Sequence, residues 1–152
     1  MLIYAKHIRR EDLQANPRCM YLFGDNHLRT GSAGQAGAMR GEPNAHGIRT
    51  KWMPHNGLKA FFNDADYDVI VPLIDEDFQA PLAFARSGGI VVCPLDGLGT
   101  GFARLQGHAP KVLRYLREKV KEVQEAHKLP GPPRTDQPTP VPMGSDLRDA
   151  GA

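Results

Sequence analysis

The stretch of this sequence richest in groups able to hold a ligand is FGDNHLRTGSAGQAGAMRG, residues 23–41. It follows the apolar run CMYLF and places five glycines in nineteen residues, with an Asp, an Asn and two Arg among them. A second glycine-rich turn, DGLGTG at 96–101, follows the apolar run GIVVCPL at 89–95. Glycine admits positive φ and lets backbone N–H groups reach a ligand with no Cβ in the way. Successive amides in such a turn form a concave anion site. In α/β proteins these turns sit where the carboxyl ends of strands open into a crevice. One glycine turn reads equally well as a tight structural bend. Two, each following a strand, point to a phosphate-bearing ligand.

Neither turn is a triphosphate loop, because no Gly-Lys-Ser/Thr closes it. GLGTG lacks the third glycine of the dinucleotide fingerprint, so the sequence argues against a conventional ATPase or dehydrogenase. The six histidines, His7, His27, His46, His55, His108 and His127, have no metal-ligand spacing, and no metal or cofactor is expected. Ser32 and Ser87 have no readable His–acid partners. Arg40, Glu42 and Asn44 in RGEPNA could order the loop or read a base. Trp52 reads as packing, or as an aromatic face for a base.

The elements that must position these loops are short strands alternating with helices. LIYA (2–5) reads as a strand and REDLQANP (10–17) as a brief helix stopped by Pro17. CMYLF (19–23) reads as a buried strand ending at Gly24, and AGQAGAMR (33–40) as the start of a helix. A strand is expected near Ile48 to Trp52, followed by polar turns over 53–68. From Tyr67 to Arg86 the apolar spacing predicts helical segments broken near Pro72 and Pro81. GIVVCPL is the clearest strand, β-branched and bounded by Gly89 and Pro94. APKVLRYLREKVKEVQEAH (109–127) is the best helix, with Val112, Leu113, Leu116, Val120 and Val123 on one face and Pro110 in its first turn.

The chain of 152 residues is long enough for one core, and 41% apolar with 24% charged residues describes a globular protein. A net charge of +2, mixed along the chain, makes no case for nucleic acid. Cys19 and Cys93 are isolated, as in a reduced cytoplasmic protein. No apolar run approaches membrane length. From Leu129 onward six prolines and scattered charges predict a flexible tail rather than core. The alternation of strands and helices indicates an α/β sandwich around a mixed or parallel sheet.

Three segments carry a family resemblance. NHLRTGSAGQA (26–36) resembles the macrodomain loop that follows Asn-x-x-Leu, and IVVCPLDGLGTGFARL (90–105) is similar to the second macrodomain signature, a strand entering a Thr-Gly-aromatic phosphate loop. GIRTK (47–51) resembles the strand ending in Thr-Lys of the macrodomain branch that removes terminal ADP-ribose. The run 23–51 is also similar to a group of phage and prophage proteins. The resemblance spans about 110 residues, 19–127, and rests on order and spacing more than on any single motif.

The resemblance implies a three-layer macrodomain-like sandwich with a central mixed sheet over residues 1–128, ahead of the proline-rich tail at 129–152. The implied ligand is ADP-ribose or a related NAD-derived nucleotide, a small molecule, with no membrane or nucleic-acid partner. In a phage setting the protein would act on a signalling nucleotide of host defence, in the host cytoplasm. Carried over by position, Asn26 would bond the distal ribose, with Gly24, Gly31, Gly34 and Gln35 beside it. Gly97, Leu98, Gly99, Thr100, Gly101 and Phe102 would wrap the diphosphate. Asp25 is open between an adenine amino group and a ribose hydroxyl. Lys51 has three readings: a nucleophile on the anomeric carbon, a charge contact to ligand, or a solvated strand-end charge. The family's second-loop acid is missing at Phe102 and Ala103, which leaves Asp96 as the candidate. Alternatives are an ADP-ribosyl glycohydrolase, a nucleoside monophosphate phosphoribohydrolase, for which LDGLGTGFA lacks the expected Glu, and a structural phage protein.

Overall fold

The computed structural model describes residues 1–126, and within them one α/β unit. The expected tail at 129–152, and His127, lie outside the described residues. In chain order the elements are β1 (Leu2–Ala5), α1 (Arg10–Ala15), β2 (Met20–Asn26), α2 (Gln35–Met39), β3 (Ala45–Lys51), α3 (Tyr67–Arg86), β4 (Val91–Pro94), α4 (Leu105–His108) and α5 (Pro110–Glu125). Two single 3-10 turns, Leu58–Ala60 and Asp64–Asp66, bridge β3 to α3.

The four strands form one sheet in the order β1-β4-β2-β3, and every pairing between them is parallel. Of the mixed or parallel sheet that the strand–helix alternation left open, the parallel one is found, and the mixed sheet implied by the family resemblance is corrected. The one antiparallel contact is an isolated bridge between Lys51 and Phe61, beyond the ladder. Parallel strands need crossovers, and the crossovers bury both faces of the sheet. Leu22, Ile48, Val91 and Cys93 project into the larger cluster, packed with Ile70, Ile74 and Phe78 of α3 and Val112 and Leu116 of α5. The alternate positions Tyr21, Phe23 and Val92 pack with Leu13 of α1 and with Ala36 and Met39 of α2. Period-two alternation along β2 thus divides one strand between two cores.

Three expectations are corrected. The strand over CMYLF does not end at Gly24 but runs to Asn26, so Asp25 and Asn26 are strand residues rather than loop residues. Gly24 lies in a close approach instead: a Cβ there would sit 3.3 Å from Thr50 Oγ1, a tight contact, and 3.7 Å from the Gly99 nitrogen. β3 begins at Ala45 rather than Ile48, its register fixed by pairing Tyr21 with Ala45. The segments expected to break at Pro72 and Pro81 are one twenty-residue helix, α3, with both prolines inside. Pro72 lies early in the helix, where the carbonyl it deprives belongs to the first turn. Pro81 deprives the carbonyl of Asp77, and His46 Nε2 lies 2.6 Å from that oxygen, in place to donate to it.

The most strongly amphipathic helix, α5, is capped from a distance. Both Asp64 carboxylate oxygens accept backbone N–H groups of its first turn, from Lys111 at 3.0 Å and Val112 at 3.1 Å. Pro110, at the first helical position, has no N–H to satisfy. An acid here also complements the positive end of the helix dipole.

Candidate functional site

The carboxyl ends of β2, β3 and β4 open onto a cleft of about 510 Å³, within the range of small-molecule sites, roughly 300–1,000 Å³. The glycine loop after β2 forms one wall and the DGLGTG turn after β4 the other. The cleft is lined by Gly24, Asp25, Asn26, Gly31, Gly34, Gln35, Lys51, Asp96, Gly97, Gly99, Thr100, Gly101 and Phe102. Every ligand-contact or catalytic candidate implied by the family resemblance is therefore on this cleft except Leu98. The Leu98 side chain is buried in the larger core cluster, since the turn around it is anchored inward. Pro54, Arg40 and Thr50 also line the cleft.

The turn after β4 is shaped by a few bonds. Thr100 Oγ1 donates to the Asp96 carbonyl at 2.5 Å, Gly97 N–H to the Pro94 carbonyl at 2.9 Å, and Leu105 N–H to the Gly99 carbonyl at 2.9 Å. Gly97 and Gly99 have φ of +85° and +79°. A Cβ on Gly99 would come within 2.3 Å of Leu105 Cδ1, so this glycine serves the fold of the turn. Gly101 differs, because a Cβ there meets nothing within 4 Å. Among the described residues, the backbone N–H groups from Leu98 to Ala103 donate to no protein acceptor. Six successive amides are thus unspent in a turn that lines the cleft, a pattern suited to phosphate oxygens.

The opposite loop is held by charge. Asp25 is buried, and its carboxylate accepts from Arg40 NH2 at 2.6 Å, Arg40 NH1 and Arg29 NH1 each at 3.2 Å, and the Asn26 N–H at 2.8 Å. Those bonds occupy the carboxylate that the family resemblance offered to a base or a ribose, so in this structure Asp25 organises the loop. Arg40 also donates to the Gly31 carbonyl at 2.8 Å and the Thr30 carbonyl at 3.2 Å, tying the loop to the end of β2. The Asn26 side chain is bonded to the same loop, donating to the Thr30 carbonyl at 2.6 Å. Its oxygen has only a 3.5 Å contact from Thr30 N–H and is the freer end of the amide.

Of the three residues in RGEPNA left open between ordering and base reading, all three order the chain. Arg40 grips Asp25, Glu42 pairs with Arg10 at 2.8 Å, and the Asn44 amide nitrogen donates to the carbonyls of Leu13, Asn16 and Cys19.

Phe102 spans the cleft. It is 61% exposed, yet a Cβ on Gly34 would touch its ring at 3.0 Å, so the ring lies against the opposite loop. Lys51 sits at the end of β3, buried to 7% exposure. Its Nζ lies over the Phe61 ring, 4.7 Å from the centroid, and 3.4 Å from Asn56 Oδ1. Burial lowers the Lys51 pKa, and the charge of Arg104 lowers it further. The neighbouring cation is Arg104, which has a left-handed backbone just past the DGLGTG turn. Arg49 points out over the edge of the sheet to Asp77 and Glu76. Lys51 forms no ion pair among the described residues, and Asp96 is exposed at the shared rim of the turn. Among the described residues no group of three or more His, Cys, Asp or Glu side chains could hold a metal ion.

Sequence reasoning missed Arg29 and Arg104, and left Arg40 undecided. Arg29 and Arg104 adopt positive φ without being glycine, which no sequence pattern announces. The Asp25–Arg40 pair is separated by fifteen residues and a turn of unknown path.

Residues 3–119 match the model of a family described as "Family of unknown function (DUF7831)", and the chain belongs to that family. Neither the curated proteins nor the solved structures contain a match to it. No helix among the described residues is long and apolar enough to cross a membrane.

Proposed function

We propose that this member of a family of unknown function binds a nucleoside diphosphate of the ADP-ribose class in the cleft between its two glycine loops. The observation that carries this reading is the run of unspent amides from Leu98 to Ala103, in a turn facing a cleft that also holds Lys51. Amides fixed in advance by the turn lose little freedom on meeting phosphate oxygens, and a buried ammonium adds charge where water is scarce. Phe102, laid across the cleft against Gly34, offers an apolar face to a ribose. Helices on both faces of the sheet and glycine loops at the strands' carboxyl ends support reading the fold as a macrodomain-like sandwich, with a parallel sheet in place of a mixed one. Action on a signalling nucleotide in host defence follows from the phage resemblance and is part of the same proposal.

Calorimetric titration with ADP-ribose, ADP and NAD tests the reading. The informative variant is Gly101→Glu, which adds a carboxylate in open space beside the amides. It should abolish binding while leaving the melting temperature unchanged. Absence of a binding signal from the wild type with all three ligands would end the proposal.

A second reading, cleavage of a glycosidic bond to ADP-ribose, is favoured by the lowered pKa of Lys51, which raises the fraction of free amine near neutrality. In this reading Asp96 supplies the acid. Lys51→Met should then stop release of ADP-ribose from a modified substrate while binding of free ADP-ribose persists. Unchanged turnover in that variant would rule the nucleophile out.

A further inference from the structure

A second cavity, of about 700 Å³, lies on the other side of the DGLGTG turn, between the ends of β1 and β4 and the helix α5. The two cavities are divided by one stretch of backbone, because Asp96, Gly97 and Thr100 line both. The second has a different character from the first. Tyr4, Leu95 and Val120 give it an aromatic and aliphatic wall, and Tyr4 and Leu95 are left 45% and 48% exposed. Tyr4 pairs in register with Cys93, and its parity with the core residue Leu2 turns its ring toward α5. Arg117 and Lys121 line the side given by α5 as donors, and Glu125 as an acceptor, all on the exposed side of that helix.

We infer that this cavity is the subsite for the base of the ligand, a flat nitrogen heterocycle whose diphosphate lies on the amides of the shared turn. The inference rests on the nucleotide reading of the first cleft and adds to it the place of the base, on the far side of the shared turn. An aromatic face beside aliphatic side chains takes the π-face of a ring, and stacking of this kind tolerates different bases. The ring edge would meet donors from Arg117 and Lys121 and an acceptor from Glu125, so both polarities of a base edge are answered. Asp96, at the division between the cavities, is placed to accept from a ribose hydroxyl as the ligand passes over the turn. Phosphate alone fits the first cavity and leaves the second without a role. A ligand bent around Gly97 and Thr100 uses both.

The test compares ADP-ribose with ribose 5-phosphate, which lacks the base, the second ribose and one phosphate, by calorimetry on the full chain, and isolates the base through variants. Two variants act on the second cavity alone. Tyr4→Ala removes the aromatic face, and Gln124→Trp places bulk in the cavity from an exposed position on α5. Each should weaken ADP-ribose by about tenfold or more and leave ribose 5-phosphate unchanged, with melting temperatures reporting that both variants fold. If the wild type binds ribose 5-phosphate but holds ADP-ribose no more tightly, or if both folded variants bind ADP-ribose as the wild type does, the base subsite is wrong and the phosphate cleft stands. If the wild type binds neither compound, the nucleotide reading fails and takes this inference with it.

Discussion

Asp77 seals the outer edge of the sheet, and replacing it by Ala should cost far more than removing its neighbour Glu76. β3 pairs only with β2, so its other edge would present unpaired backbone groups. Asp77, in the middle of α3 and 4% exposed, accepts the Arg49 N–H at 2.7 Å, Arg49 Nε at 2.9 Å and Arg49 NH2 at 3.0 Å, and also Arg29 NH2 at 2.5 Å. Arg29 in turn donates to the Gly47 carbonyl on the same edge and to Asp25 beneath the glycine loop. Without the Asp77 carboxylate, Arg49 stays buried at 7% exposure with the Leu73 carbonyl, Glu76 and a 3.4 Å contact to His27 Nδ1 as remaining partners. Breaking a buried pair of this kind costs about 3–5 kcal/mol. That is a large part of the roughly 5–15 kcal/mol that holds a domain folded, and corresponds to a fall in melting temperature of roughly 10–20 °C. Glu76, whose side chain is 68% exposed, touches the same guanidinium at 3.1 Å, and Glu76→Gln should cost about 0–1 kcal/mol. Urea denaturation of the two variants, followed by far-UV circular dichroism, gives both values. An Asp77→Ala cost below about 1 kcal/mol, or equal to that of Glu76→Gln, would refute the argument, because it would mean that water satisfies Arg49 and the strand edge as well as Asp77 does.

Three further outcomes follow from the geometry. Gly99→Ala should destabilise by about 2–4 kcal/mol, from the 2.3 Å approach to Leu105 and the positive φ, whereas Gly101→Ala should fall within about 1 kcal/mol of the wild type. Denaturant midpoints of the two alanine variants check this, and equal midpoints would contradict it. His46→Ala should cost about 1–3 kcal/mol by orphaning the Asp77 carbonyl, and adding Pro81→Ala should recover part of that loss by restoring a backbone donor; a double-mutant cycle showing no coupling would count against the pairing. Lys51 has its folded pKa below the unfolded value of 10.5, so its burial penalty is fully present below the folded pKa. Between the two values the unfolded chain binds more protons, and stability should rise with pH across that window. Lys51→Met should flatten this rise, as read from denaturation midpoints at neutral and alkaline pH.

Much of the site was legible because glycine-rich turns after apolar strands are local signals. GIVVCPL followed by DGLGTG encodes a buried strand and its turn within thirteen residues, and the cleft forms where two such units lie side by side. α5 was equally plain, since its apolar stripe repeats over four turns. The sequence was silent where one residue's role is set by a distant partner. Gly24 reads as a strand end until Thr50 and Gly99 are found packed against it. Pro81 reads as a helix breaker until His46, from the neighbouring strand β3, supplies the missing donor. Asp25 reads as a ligand contact until two arginines, one fifteen residues away, take up its oxygens. Leu98 lies inside a ligand-like motif, but the inward anchoring of its turn places the side chain in the core. Spacing locates the loops, and only the fold apportions glycines and charges between ligand and scaffold.

The most direct measurement of the central claim is a titration of isotope-labelled protein with ADP-ribose, followed by amide nuclear magnetic resonance. The account predicts saturable downfield shifts concentrated in the six N–H groups from Leu98 to Ala103, with smaller shifts at Gly31 and Gly34 across the cleft. Titration without shifts, or saturable shifts that leave those six amides unmoved, would contradict it.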